Sequence, residues 1–166
     1  DRFKGFGLEL HPEKTRLIEF GRFAAQTRKN RGEGKPETFN FLGFTHFPDK
    51  TRKGLFKVGR KTDRKKMTAK LKEMNLWLKS IRTTPVREWW PVFKAKLAGH
   101  FRYYGVSGNS RSIGTYYYLS VRLLFKWINQ RSQRHSMNWT EFNAYLMRHR
   151  LPTPRIYHNL YALPNY

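Results

Sequence analysis

The acidic residues are too scattered to build a two-metal active site, which needs at least two carboxylates at one place. The chain has 11 Asp and Glu residues in 166 positions. Asp1, Asp49 and Asp63 are isolated from one another, and the sequence contains no Asp-Asp, Asp-x-Asp or Glu-x-x-Glu pair. The glutamates between residues 9 and 19 flank a predicted turn and strand, where we expect solvated side chains. We therefore predict no metal site on this chain.

Other catalytic residue types are equally incomplete. Because the sequence has no cysteine, it offers no thiol nucleophile, disulfide or Cys-ligated zinc site. The six histidines show neither His-x-x-x-His nor His-Glu-x-x-His spacing. Aromatic surroundings favour a packed, hydrogen-bonded role for His46 and His100. Residues 105–112 lack the Lys-Ser or Lys-Thr of a phosphate-binding loop and follow a helical pattern, which predicts a helix–helix connection.

Two rows of polar and basic side chains are better suited to binding. Each row lies on one face of a predicted helix at ~100° per residue, opposite an apolar stripe. The first row is Lys61, Lys65, Lys72 and Lys79. The second row is Thr115, Tyr118, Arg122, Lys126 and Asn129, extended by Arg111 if the helix starts early. Cations neutralise phosphates and tyrosine stacks on unpaired bases, so the rows favour nucleic-acid contact over the alternative of merely solvated faces.

The basic residues are concentrated after residue 49. The chain carries 34 Lys and Arg against 11 Asp and Glu, a formal charge of +23. Residues 1–49 hold 9 basic and 7 acidic residues, whereas residues 50–166 hold 25 basic and 4 acidic residues. For a folded protein, the usual partner of such a charge is nucleic acid. The break near residue 50 predicts two functional regions.

The composition predicts a folded chain without membrane contact. With 13 Phe, 9 Tyr and 5 Trp residues, the chain can build a core. No uncharged apolar run approaches the roughly 18–20 residues that span a bilayer. The start, Asp1-Arg-Phe-Lys-Gly5, is neither a signal peptide nor an initiator methionine. We therefore expect a cytoplasmic piece of a longer protein.

The first region is predicted to mix helix and strand. Thr15–Phe20 has the composition of a short strand, and residues 26–38 that of a polar loop. Two aromatic-rich runs, 39–47 and 55–58, flank a turn composition and predict a β-hairpin.

The second region is predicted to be helical. From residue 62 to residue 82, apolar residues recur at spacings of four and three, which places them within about 80° on one face. A second helix is predicted from about residue 86 to 104, with Pro91 either kinking it or delaying its start. A third is predicted from about residue 113 to 131.

A fourth, short helix is predicted near the end of the chain. Asn138-Trp-Thr-Glu141 has the spacing of a capping box, which predicts a helix from 139 to about 149. The two prolines of residues 151–155 predict an extended segment after it.

Three blocks resemble reverse transcriptases of the group II intron type, and together they cover nearly the whole chain. The first, Gly7-Leu-Glu-Leu-His-Pro-Glu-Lys-Thr15, is similar to the segment after the catalytic Tyr-x-Asp-Asp strand of the palm. The second, Phe39-Asn-Phe-Leu-Gly-Phe44, is similar to the hairpin that grips the primer. The third is similar to the maturase domain, also called domain X or thumb; it comprises Gly99-His-Phe-Arg-Tyr-Tyr-Gly105, Asn109-Ser-Arg-Ser112, Trp139-x-x-Phe142 and Leu151-Pro-Thr-Pro-Arg-Ile156.

The resemblance implies a division at about residue 60 and an α+β fold. Residues 1–60 would be the C-terminal end of the palm, a small antiparallel β remnant with the primer-grip hairpin. Residues 61–166 would be an all-α thumb or maturase domain. Leu42, Gly43 and Phe44 match the primer grip, where a glycine in a strand lets a nucleic-acid backbone approach closely. A β-bulge is the alternative explanation for Gly43.

The resemblance also implies that catalysis is divided. Lys14 matches a lysine near the triphosphate that is proposed to help pyrophosphate leave, although a turn lysine is the alternative. The aspartates that hold Mg²⁺ in such enzymes would precede residue 1. The parent is therefore expected to be an RNA-directed DNA polymerase that uses Mg²⁺, whereas this chain alone is expected to bind no cofactor and to be inactive.

The expected partners are intron RNA, an RNA or DNA template–primer, and the upstream fingers and palm of the same protein. The expected function is to support splicing of a bacterial intron RNA and RNA-directed DNA synthesis. Two alternatives stay open. One is a stand-alone RNA-binding or RNA-chaperone module, and the other is a related reverse transcriptase used in host defence.

Overall fold

The computed structural model describes residues 4–9, 11, 15–131 and 136–161. The chain divides into two compact units. The first comprises Asp1–Phe39 and His46–Gly59, and the second comprises Asn40–Thr45 and Arg60–Tyr166. The described residues combine a three-stranded antiparallel sheet with helices. The α+β class is therefore confirmed, while the palm and thumb assignment stays a prediction.

The segment before residue 21 differs from its prediction. A 3₁₀ turn spans Lys4–Phe6, but residues 15–20 form no strand despite their β-rich composition. Side-chain hydrogen bonds connect this segment to residues 37–38 instead: the Glu19 N–H donates to Glu37 Oε2 at 3.0 Å, and Arg16 Nη2 donates to the Thr38 carbonyl at 3.1 Å. The predicted strand is wrong because polar side chains of residues 16–37, and not a neighbouring strand, hold the segment.

A helix, α1 (Ala24–Asn30), begins just before the predicted loop and runs into it. Its Ala-Ala-Gln start consists of helix-favouring or helix-tolerant residues. Arg31, which follows the helix, forms ion pairs with Glu33 (Nε to Oε1, 2.7 Å) and with Glu19. The hydrogen bond from Arg31 holds the pKa of Glu33 below its ordinary value. These pairs fold the loop back on the segment that precedes the helix.

The sheet contains two hairpins. Its strands are β1 (Phe39–Phe41), β2 (Phe44–Lys50) and β3 (Phe56–Thr62), in the order β1-β2-β3. The predicted hairpin between the two aromatic runs is confirmed as the β2–β3 pair. The first run is itself divided, because the chain reverses at residues 42–43 and returns as β2.

The helical part of the second unit matches the sequence prediction closely. Helix α2 spans Arg64–Ser80, α3 spans Val86–Tyr104 and α4 spans Ser110–Asn129. Pro91 lies inside α3, which begins at Val86, so the helix is not delayed to Trp90. Because α4 begins at Ser110, Arg111 belongs to it.

The start of α2 corrects one predicted site residue. Asp63 caps the helix, since its Oδ1 accepts from the Lys66 N–H at 2.9 Å. The helix therefore begins after residue 63. Lys61 belongs to strand β3, so it is not part of the helical row that was predicted to contain it.

Aromatic and aliphatic side chains of α2 to α5 form one core in the second unit. Its fully buried apolar members are Leu78, Phe93, Leu97, Phe101, Ile113, Leu124 and Phe142. Trp127 adds a polar tie inside this core, because its indole Nε1 donates to Asn75 Oδ1 at 2.8 Å and links α4 to α2.

The last helix, α5 (Trp139–Arg148), has the predicted capping box. The Glu141 N–H donates to Asn138 Oδ1 at 2.9 Å, and the Asn138 N–H donates to Glu141 Oε2 at 2.7 Å. Residues 151–157 form neither helix nor strand. Within the residues that the structure describes, none of the helices combines the length and the apolar character that a bilayer crossing requires.

Candidate nucleic-acid interface

The tip of the β1–β2 hairpin is an exposed leucine held in an unusual backbone conformation. Leu42 and Gly43 have φ angles of +48° and +79°. Positive φ at both central residues is the requirement of a type I′ turn, whose twist suits a two-residue hairpin. This conformation costs a leucine roughly 1–2 kcal/mol relative to glycine. The Leu42 side chain is nevertheless 66 % exposed, so burial does not explain its presence.

Tyrosines of α3 support this tip from within the second unit. Tyr103 Oη donates to the Leu42 carbonyl at 3.0 Å. The half-buried Phe44 packs edge-on against Tyr104, with ring centroids 5.3 Å apart. A Cβ on Gly43 would lie 3.0 Å from Tyr104 Oη. Gly43 therefore lies in the turn and not within a strand, and the close approach that it permits in the structure is that of a tyrosine.

A buried asparagine ties the tip to the helices. Asn109 is 1 % exposed; its Oδ1 accepts from the Thr62 N–H, and its Nδ2 donates to Thr62 Oγ1 and to the Tyr104 carbonyl, all at 2.9 Å. Asp63, which follows Thr62 in the chain, donates its N–H to the Gly43 carbonyl at 2.9 Å. In the sequence, Asn109 stands out only as part of a family-like block, without a predicted role.

Three exposed lysines, Lys65, Lys72 and Lys79, form what we call the α2 face. They keep the predicted row, now without Lys61, which is exposed on β3. Among the described residues, none of the three forms an ion pair with an acid. Their charges are therefore available to an external polyanion.

A second basic surface, the α4 face, consists of Arg111, Thr115, Tyr118, Arg122 and Lys126. All five side chains are exposed. Arg122 Nη1 donates to Tyr118 Oη at 3.1 Å, and the guanidinium carbon lies 5.6 Å from the ring centroid of the same tyrosine. This pair presents a cation and an aromatic ring side by side, a combination suited to a phosphate and an unstacked base.

Asn129, predicted to belong to the same row, has a structural role instead. Its side chain is half-buried, its Nδ2 donates to the Phe125 carbonyl at 3.2 Å, and its Oδ1 accepts from the N–H groups of Ser136 and Met137 at 3.0 Å. Asn129 therefore fastens the segment that leads into α5.

A groove of about 660 Å³, which we call the α2–α3 groove, lies within the second unit. Its rim carries Lys66 and Lys70 from α2 and Lys96 from α3, and Leu42 and Tyr103 also line it. Glu73 pairs with Lys70 (Nζ to Oε2, 2.9 Å) and lies 3.9 Å from Lys96 Nζ. No sequence pattern indicates this groove, because its lining comes from segments far apart in the chain.

His100 lines the same groove and is 8 % exposed. Its ring stacks on Tyr116, with centroids 3.5 Å apart and planes at 10°. Burial, reinforced by the nearby Lys70 charge, lowers the pKa of His100 to about 4, and burial raises the pKa of Tyr116 to about 12. The predicted packing of His100 is confirmed, but no hydrogen-bond partner for its Nε2 is present among the described residues.

The catalytic lysine and the metal ligands are the remaining points of the sequence prediction. Lys14 lies outside the described residues. No group of three or more His, Asp or Glu side chains that could hold a metal ion is present in the described part of the chain.

Comparison of the chain with protein-family models, curated proteins and solved structures finds no match. Its function must therefore be argued from its own residues and geometry.

Proposed function

We propose that this chain binds RNA through the α2 and α4 faces, as the end of the palm and the thumb of a group II intron-type reverse transcriptase and maturase. The observation that carries the RNA-binding part is that Lys65, Lys72 and Lys79 lie on one side of a well-packed helix and pair with no acid among the residues that the structure describes. Side chains placed for stability alone would be interspersed with acids, since like charges along one helix face repel each other.

The α4 face supports the same function with different chemistry. Arg122 and Lys126 supply phosphate contacts, and Tyr118 offers a ring for stacking or a hydroxyl for a 2′-hydroxyl. Phosphate contacts position a nucleic acid without reading its sequence, so these surfaces suit recognition of a structured RNA by shape.

The more specific assignment rests on the family resemblance of the sequence. In that assignment Leu42, Gly43 and Phe44 form the primer grip, and the aspartates that hold Mg²⁺ belong to an upstream part of the parent protein. The helical unit would clamp the template–primer and, as a maturase, would stabilise the spliced fold of the intron RNA. Such stabilisation needs only a higher affinity for one RNA conformation than for the others.

The RNA-binding proposal is tested by replacing Lys65, Lys72 and Lys79 together with glutamine. We expect weaker binding of a structured RNA, and a plot of log affinity against log salt concentration whose slope is smaller by about 2–3, since each lost phosphate contact removes ~0.7–0.9. The thermal midpoint should barely change, because the three side chains are exposed. Fluorescence anisotropy at several salt concentrations measures the affinities.

The matched control replaces Lys29, Lys35 and Lys53 with glutamine. These lysines are also exposed, and the substitutions remove the same number of charges from the first unit. If both triple variants lose the same affinity, only net charge matters and the α2 face is not an interface. A wild-type affinity that stays flat with salt would reject phosphate binding altogether.

The polymerase assignment has a separate test. The coding sequence upstream of Asp1 should be in frame and should encode a Tyr-x-Asp-Asp motif. An upstream frame without that motif would favour a stand-alone RNA-binding module.

A further inference from the structure

The α2–α3 groove combines features that the two basic faces lack. It is concave, apolar and aromatic side chains make up part of its lining, and cationic side chains stand at its rim. Its volume of about 660 Å³ falls within the roughly 300–1,000 Å³ of pockets that hold small organic ligands, a range that includes one nucleotide.

We propose that the α2–α3 groove binds a single unpaired nucleotide of a nucleic-acid strand, with its phosphate at Lys66, Lys70 and Lys96 and its base against Tyr103. This inference rests on the proposed nucleic-acid-binding function and deepens it. The α2 and α4 faces would hold the strand through its backbone, and the groove would receive a nucleotide that leaves the stack.

Charge complementarity selects an anionic ligand. Within the described part of the chain, three lysines and one acid, Glu73, line the groove, which leaves a net positive rim. Glu73 pairs with Lys70 of α2 and lies near Lys96 of α3, so a phosphate at this rim would compete with the Glu73 carboxylate for these two lysines. The phosphate would form charge-assisted hydrogen bonds with the ammonium groups that it captures.

Aromatic surface selects a base over a simple anion. Tyr103 is 54 % exposed, and its hydroxyl is anchored to the Leu42 carbonyl, so its ring is held in place. Stacking on such a fixed ring accepts any base, because every base has a π face. Leu42, exposed at the hairpin tip, provides an apolar edge beside it.

His100 provides a polar group at the base of the groove. Its Nε2 is buried and has no hydrogen-bond partner among the described residues, a state that is unfavourable for a polar atom. A base edge that reached this nitrogen would give it a partner, and since the ring is neutral, it can donate or accept.

The test is titration of the full chain with adenosine monophosphate, followed by NMR of the aromatic side chains. Binding should shift the ring signals of His100 and Tyr103 and leave those of Tyr161 unchanged. Tyr103→Ala should weaken binding by about 5-fold to about 150-fold, the range for one stacked base. The control Tyr161→Ala changes a tyrosine that is 43 % exposed and lies in neither the groove nor the two basic faces, so it should not weaken binding.

A second pair of variants tests the rim without touching the hairpin. Lys66→Gln combined with Lys70→Gln should weaken adenosine monophosphate binding by about 2-fold to about 30-fold. Lys72→Gln combined with Lys79→Gln should leave it unchanged while weakening binding of structured RNA. This contrast separates the groove from the α2 face.

The outcomes distinguish the two proposals. If structured RNA binds but adenosine monophosphate does not shift the groove signals, the groove inference is wrong and the proposed function stands. If inorganic phosphate binds as tightly as the nucleotide, the base contributes nothing and the inference is also wrong. If the nucleotide binds and structured RNA does not, the proposed function is wrong.

A last arm identifies the source of the nucleotide. An RNA duplex with one unpaired terminal nucleotide should bind more tightly than the blunt duplex, and the Lys66/Lys70 variant should remove that difference. Equal affinities for the two duplexes would overturn the strand-bound nucleotide that we propose.

Discussion

Acidification should destabilise the helical unit through His100, because the fold buries its imidazole. The folded protein holds this imidazole neutral, with its pKa lowered from 6.5 to about 4 by burial and by Lys70. Between these two values the unfolded chain binds a proton that the folded chain does not, so stability falls as the pH falls. The difference between the two pKa values, at ~1.4 kcal/mol per pH unit, corresponds to about 3 kcal/mol.

His100 affects the pH dependence of stability only between its unfolded and folded pKa values. Above about pH 6.5 both states are neutral at this site and His100 contributes no pH dependence; below about pH 4 both are protonated and the loss is complete. The Lys70 charge on α2 acts on this imidazole, and two tyrosines, Tyr104 and Tyr116, contact its ring. Because the tyrosine pKa values are raised by burial, both tyrosines stay neutral throughout this window.

Urea unfolding followed by tryptophan fluorescence measures this effect at about pH 7 and about pH 4.5. His100→Phe keeps an aromatic ring against Tyr116 but cannot titrate, so it should lose about 2–3 kcal/mol less than the wild type over that interval. His11→Gln, a change at an exposed histidine, serves as the control and should behave like the wild type. Equal losses for the wild type and His100→Phe would refute a buried neutral His100.

Two further substitutions test the hairpin tip. Asn109→Ala should lower the free energy of unfolding by about 2–4 kcal/mol and the thermal midpoint by about 4–16 °C, because it removes three hydrogen bonds to buried groups of Thr62 and Tyr104. The control Asn143→Ala, at an exposed position, should stay within about 0.5 kcal/mol of the wild type. An equally small effect at Asn109 would contradict the network. Leu42→Asn should raise the free energy of unfolding by up to about 1 kcal/mol, because asparagine tolerates positive φ. The same variant should bind RNA more weakly in anisotropy measurements. A less stable variant, or one with unchanged RNA affinity, would show that Leu42 serves the fold.

The helices could be predicted because their signals are local and redundant. Helix α2 has apolar residues at spacings of three and four along most of its 17 residues, and α5 has a capping box directly before an apolar turn. The apolar residues that predict α2 also pack it into the core, and α5 is buried by Phe142, directly after the capping box. Tertiary packing therefore agrees with the local helix signals.

The first unit shows where local signals fail. Thr15–Phe20 has the composition of a strand, but a strand needs a partner, and propensity alone does not supply one. Helix α1 is stabilised by ion pairs of Arg28 and Arg31 with Glu19 and Glu33, which are contacts across a loop. No periodicity of the sequence records such contacts.

The candidate site was predictable in the same uneven way. The basic rows of α2 and α4 each lie on a single helix, so residue spacing was enough to predict them. Two of the predicted members do not belong to the rows: Lys61 precedes the helix cap at Asp63, and the Asn129 side chain is used in hydrogen bonds to the backbone. The α2–α3 groove was not predictable, since Lys70 and Lys96 come from different helices and Leu42 from the sheet. Only the packed tertiary structure brings these residues together.

The hairpin tip joins these observations into one argument about function. Leu42 carries an unfavourable backbone conformation and leaves most of its apolar side chain in solvent, so its type and place are poorly explained by stability. Yet the tip is held by hydrogen bonds from Tyr103 and Asp63 and by the ring of Tyr104 below Gly43. A strained, exposed leucine on a firmly fixed turn beside a cationic groove is a geometry that favours contact with a ligand, because a preorganised contact loses little entropy on binding. The same tyrosine that anchors Leu42 offers its ring to the groove, so changing the tip should alter RNA binding and nucleotide binding together, whereas changing the α4 face should alter only RNA binding.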